Sequence, residues 1–137
     1  MFTYYYNGRG LAQFHNIVAI SCTVMPHVRQ IATTLDVPIR HYRALAPDWN
    51  TMVQPFRLGQ INELEYTRRY WNKLYELNPY QVLEDLGDDA VLLCYEPSNK
   101  FCHRHLAAGW LRDHGIDIRE YVYIEPTQSQ FQLDFDW

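Results

Sequence analysis

The stretch Val91-Leu92-Leu93-Cys94-Tyr95, an unbroken apolar run between Asp88-Asp89 and Glu96, constrains the fold more than any other segment. A run without polar alternation is what a strand covered on both faces requires, and parallel sheets supply that cover. Phe101–His114 follows as a helix, with Leu106, Ala107, Trp110 and Leu111 as its apolar stripe and Gly115 just past its end. Ile116–Ile124 then reads as one more strand. Strand, helix and strand over Val91–Ile124 make a βαβ unit with the crossover length that a parallel pair needs. Ile17-Val18-Ala19-Ile20 is a second apolar run, and it opens into the small polar stretch Ser21-Cys22-Thr23. The expected fold class is α/β, a small three-layer fold with a mainly parallel sheet and helices on both faces. Residues 1–137 are expected to form a single domain, with 126–137 an edge strand or a docking tail.

The remaining elements are shorter. Phe2–Tyr6 reads as a strand closed by an Asn7-Gly8 turn, Val28–Leu35 as a short helix and Val37–Tyr42 as a strand. Ala46-Pro47-Asp48-Trp49 is a turn, with Asp48 or Asn50 available to cap the next segment. Asn62 and Glu65 have capping-box spacing at the head of a helix whose predicted apolar face is Leu64, Thr67, Trp71, Leu74 and Tyr75. Asn78-Pro79 restarts a helix, and Gly87 ends it.

Composition narrows the function classes. A chain of 137 residues with 47% hydrophobic and 20% charged residues has material for one core. No apolar run approaches the roughly 20 residues of a membrane span, and Met1–Tyr6 lacks the basic start of a signal peptide. Three cysteines without a CxxC pair suggest neither a disulfide framework nor a zinc knuckle. Reduced thiols fit a cytoplasm, that of the host if the chain is viral. The net charge of −4 divides into +3 over residues 1–60 and −7 over residues 61–137. Ten of the twelve basic residues are Arg, suited to planar contact with phosphate or carboxylate, yet the overall acidity argues against a generic duplex-DNA binder. Eleven Tyr and four Trp fit either a half-buried aromatic core and rim or a stacking surface for bases and sugars.

Ligands of parallel sheets bind outside the carboxyl ends of the strands, which places Ser21-Cys22-Thr23 and Glu96-Pro97-Ser98-Asn99 at one end. Cys102, in the first turn of its helix beside His103 and Arg104, is where a thiol becomes more acidic. On this reading Cys102 or His103 is the nucleophile or its base, Arg104 holds an anionic group, and Glu96 takes a proton or orients a hydroxyl. The structural alternative has Cys102 packed as a small hydrophobe and Arg104 paired with Glu96. A further template, that of rhodaneses and cysteine phosphatases, fits Cys94 with Lys100 across a five-residue gap. No metal site is expected, because Cys102, His103 and His105 would point different ways on a helix, and no cofactor is indicated.

Val18-Ala19-Ile20-Ser21, Leu45-Ala46-Pro47, Tyr66 with Tyr70, and Leu92-Leu93-Cys94-Tyr95-Glu96 followed by Cys102-His103-Arg104 and Leu106-Ala107 resemble the family called domain of unknown function 488. The resemblance implies a compact α/β domain of bacterial or viral origin. It marks Ser21, Cys94, Glu96, Cys102, His103 and Arg104, with Ser21, Cys94 and Arg104 on the substrate-binding side. The expectation is an enzyme acting on a nucleotide, a nucleoside or an exposed nucleic-acid base, with no membrane partner. The alternative is a non-catalytic protein-binding module that would use Tyr4, Tyr5, Phe131 and Trp137 as anchors.

Overall fold

A computed structural model describes residues 1–6, 8–96 and 98–124, to which the structural statements below refer. Five strands, β1 (Phe2–Tyr5), β2 (Ile17–Ala19), β3 (Ile39–His41), β4 (Val91–Cys94) and β5 (Arg119–Glu120), form one sheet in the order β3-β2-β4-β1-β5. Every pairing is parallel. The central strand β4 is buried at all four positions, as its unbroken apolar sequence requires.

Alternation along the strands builds two cores. Val18 and Leu92 face a core made with α4 (Glu63–Tyr75), α5 (Pro79–Leu86) and α6 (His103–Asp113). Ile17, Val91 and Leu93 face the opposite side, where Leu11 of α1 (Gly8–Leu11) and Ile31 and Leu35 of α2 (Pro26–Leu35) pack. The fold is therefore the expected three-layer α/β arrangement. Gly87 and Gly115 end α5 and α6 at φ of 86° and 83°, a backbone region open to glycine at no steric cost. No helix among the described residues is long and apolar enough to cross a membrane.

Several expectations change. The strands of the βαβ unit are parallel but not adjacent, since β1 lies between β4 and β5. The strand expected over Ile116–Ile124 is laddered only at Arg119 and Glu120, which pair with Phe2 and Thr3 of the four-residue β1. The apolar face assigned to α4 is turned. Tyr66, Tyr70 and Leu74, spaced i, i+4 and i+8, are buried, whereas Leu64 and Tyr75 are 77% and 73% exposed. Two tyrosines outcompete Leu64 because ring burial is large and Tyr70 Oη, donating to the Leu45 carbonyl at 2.6 Å, satisfies its polar tip. Asp48 caps the following turn, accepting from the Asn50 and Thr51 N–H groups, but that turn is a π-helical stretch, Trp49–Val53, running into α3 (Gln54–Arg57). The tail 126–137, with Phe131 and Trp137, lies outside the described residues. Tyr4 is buried and Tyr5 half-buried, so neither stands out as an exposed anchor.

Candidate functional site

Strands β2 and β4 end level, with Ala19 opposite Leu93 and the Ile20 N–H donating to the Leu93 carbonyl at 2.9 Å. Their carboxyl ends therefore release Ser21 and Cys94 at the same edge. There a cavity of about 380 Å³ opens, lined by Ser21, Cys94, Glu96, Cys102 and His103 among others. That volume falls within the roughly 300–1,000 Å³ of small-molecule sites. Ser21 is buried at the edge of the cavity and its hydroxyl is occupied. Its proton goes to the Thr23 carbonyl at 2.8 Å, and its oxygen accepts from Tyr6 Oη at 2.8 Å. Glu96 is exposed at the mouth.

Cys94, Cys102 and His103 form the floor. Cys102 is the N-cap of α6, and its extended backbone (φ −153°, ψ 142°) takes its side chain out of helical register. Cys102 and His103 therefore do not diverge as neighbours within a helix do, and both meet Cys94 at the end of β4. His103 Nδ1 lies 3.6 Å from Cys94 Sγ and 3.8 Å from Cys102 Sγ. The other ring nitrogen, Nε2, donates to the Ile20 carbonyl at 2.6 Å. Tyr70 packs edge-on to the imidazole with ring centres 5.4 Å apart. Two closely apposed sulfurs titrate as a pair. The Cys102 sulfur and burial together push the Cys94 thiol up. Burial opposes ionisation of Cys102 as well, but Cys94 and His103 outweigh it and hold the Cys102 thiol low.

The walls are aromatic. Phe56, Tyr66 and Phe101 form a triangle with ring centres 5.3 to 5.6 Å apart. Tyr95 lines the cavity as well, fixed by donation of its hydroxyl to the Thr23 carbonyl at 2.9 Å and by packing on Tyr6. Trp49, 42% exposed, stands at the rim with the Arg57 guanidinium 5.5 Å above its ring. Arg57 is the one Arg or Lys among the described lining residues.

Arg104 does not line the cavity. Its side chain is fully buried on the other flank of the helix start. Nε and Nη2 fork onto Glu120 at 3.2 and 2.8 Å, while Nη1 donates to the Glu96 carbonyl at 2.5 Å. Thr3 Oγ1 donates to the same Glu120 carboxylate at 2.6 Å. Each of the three guanidinium nitrogens makes a bond within the fold, and the buried side chain does not reach the cavity, so the expected anion-holding role does not fall to Arg104. The ion pair that the structural alternative placed on Glu96 is made with Glu120 instead. Lys100 is exposed and likewise does not line the cavity, although Cys94 does.

Trp49, Phe56, Arg57, Tyr66 and Phe101 line the cavity and were not among the candidate site residues named from the sequence. A signal existed: Trp49, Val53, Phe56 and Arg57 are spaced i, i+4, i+7 and i+8 behind the capping Asp48. Pro55 falls within that run, and the structure accommodates it in the first turn of α3, directly behind the π-helical stretch.

The sequence profile of the active DUF488-N3 subclade matches residues 17–115, which take in β2 through the end of α6 and every residue of the cavity floor. No curated protein and no solved structure gives a significant match. The chain belongs to the DUF488 family.

Proposed function

We propose that this DUF488 protein is an enzyme acting on a nucleotide, a nucleoside or an exposed nucleic-acid base, bound flat between the aromatic walls of the cavity and met at the floor by Cys102 and His103. One observation carries the reading: a thiol–imidazole floor lies beneath walls of Phe56, Tyr66, Tyr95 and Phe101, with Trp49 and Arg57 at the rim. Planar π-faces are what such walls accommodate, and base–aromatic stacking contributes about 1–3 kcal/mol per base. Arg57 replaces Arg104 as the cation for a phosphate, since it is exposed and faces the cavity rather than a carboxylate brace. Glu96, at the mouth, is positioned to accept a proton or orient a hydroxyl.

The test is a thermal-shift panel of nucleosides, nucleotides and short single-stranded oligonucleotides. Stabilisation by at least one class is expected. Trp49→Ala should weaken that ligand about 5- to 150-fold, as loss of one stacking partner implies. Arg57→Ala should weaken the phosphorylated forms more than the free nucleoside. A panel in which no member raises the melting temperature would overturn the reading.

A further inference from the structure

We infer that Cys94, Cys102 and His103 form a site for one zinc ion, with the fourth coordination position open to the cavity. The three ligand atoms, two sulfurs and Nδ1, lie within 4.8 Å of one another, the one such cluster of metal-binding side chains among the described residues. Zinc–sulfur and zinc–nitrogen bonds of about 2.3 and 2.05 Å in tetrahedral geometry place sulfur and nitrogen about 3.6 Å apart. The two sulfur–nitrogen distances here are 3.6 and 3.8 Å.

The second observation is the orientation of His103. A carbonyl oxygen only accepts, so the 2.6 Å contact with Ile20 puts a proton on Nε2 and, in the neutral ring, leaves the lone pair of Nδ1 facing the sulfurs. A ligating histidine that donates its other N–H to a backbone carbonyl is the arrangement by which proteins fix the metal-binding tautomer. Tyr70 holds the plane of the ring from behind.

Charge points the same way. Binding holds both sulfurs as thiolates, any thiol proton going to solvent, and a divalent ion with two thiolates and a neutral imidazole is a net-neutral unit. That suits a floor whose three residues are each no more than 5% exposed. Two soft sulfurs and an imidazole select zinc over magnesium or calcium, which take oxygen ligands. Three protein ligands with an open position is the pattern of catalytic rather than structural zinc. This inference goes beyond the reading of the cavity as a nucleotide site, because the walls select the bound molecule and the floor decides what it meets. In the loaded protein the sulfurs are ligands, and a zinc-bound water or substrate atom occupies the place facing the base.

The experiment uses the full chain, stripped of metal by a chelator and titrated with cobalt(II) in the absence of any nucleotide. One equivalent should produce a near-ultraviolet thiolate-to-cobalt charge-transfer band and the intense visible bands of tetrahedral cobalt, and one equivalent of zinc should abolish both. Cys94→Ser and Cys102→Ser should each halve the charge-transfer intensity, whereas Cys22→Ser should leave it unchanged. Should either floor variant fail to fold, the intensity in the wild-type chain, that of two thiolates, decides the matter alone. A folded wild-type chain without the band overturns the inference, as does a band kept at full intensity in folded Cys102→Ser. Because no nucleotide is present, that failure is separate from failure of the thermal-shift panel.

Discussion

The two flanks of the start of α6 differ sharply, although they are built from consecutive residues. On one flank Arg104 is buried and braced from within the fold: Glu120 accepts from two of its nitrogens, the Glu96 carbonyl accepts from the third, and Thr3 donates to the same carboxylate. On the other, Cys102 and His103 share one buried corner with Cys94 and face a cavity. A polar group whose bonding capacity is filled from within the chain holds the fold together. One whose remaining capacity faces a cavity is available to something else. Neighbours in sequence thus divide the work, and residue type alone would have assigned Arg104 to the wrong side.

Breaking the braced flank should have the largest effect. Arg104→Ala leaves Glu120 without its main partner; removal of one member of a fully buried pair costs about 3–5 kcal/mol, and because the Glu120 side chain is 20% exposed the loss should lie at the lower end of that range. Urea denaturation at neutral pH is expected to show that loss. A change of less than about 1 kcal/mol would mean the brace is dispensable.

The same flank should make the protein acid-sensitive. Burial by itself would raise the Glu120 carboxyl, but hydrogen bonds from Arg104, Ser98 and Thr3 outweigh it and hold the pKa below its ordinary value. A depressed carboxyl contributes stability that is present above the unfolded value of about 4.3 and is lost as pH falls through the lower, folded value. Urea midpoints followed from pH 7 downward should therefore fall below about pH 4. Glu120→Gln should flatten that part of the curve while lowering stability at neutral pH, and an unchanged slope would contradict the assignment.

A smaller effect is expected behind the floor. Tyr70→Phe keeps the ring against His103 but leaves the Leu45 carbonyl without its donor, at a cost of about 1–3 kcal/mol. The comparison is sharpened if cobalt or ligand binding survives this change while stability falls, since only the prop and not the floor has been altered. The smallest effect belongs to Leu64→Ala. At 77% exposure it should shift stability by no more than about 0.5 kcal/mol, and a cost above about 2 kcal/mol would restore the helix face that periodicity first indicated.

Most of the fold was legible because it depends on short-range rules. The apolar run Val91–Tyr95 holds the covered strand Val91–Cys94, and Asn62, Asn78 and Asp48 each cap the turn they precede. The face of α4 was misread because a tyrosine's place depends on whether its hydroxyl finds a partner. For Tyr70 that partner is a carbonyl 25 residues away. Residue type marked Cys94, Glu96, Cys102 and His103, and strand-end logic assigned them to one edge. The aromatic walls escaped because they are assembled from three stretches of chain: one that holds Trp49 and Phe56, and two more that supply Tyr66 and Phe101.

The sequence by itself determined the parallel α/β layout, since apolar runs and capping residues act within a few positions of one another, and it placed Ser21, Cys94 and Glu96 at the one end of the sheet where the cavity opens. Tertiary structure alone decided which of Cys102, His103 and Arg104 face the cavity. The extended backbone of the N-cap turns Cys102 toward Cys94, and the placement of β5 beside β1 brings Glu120 within reach of Arg104. Both depend on where distant segments stop and pair, which no local pattern encodes.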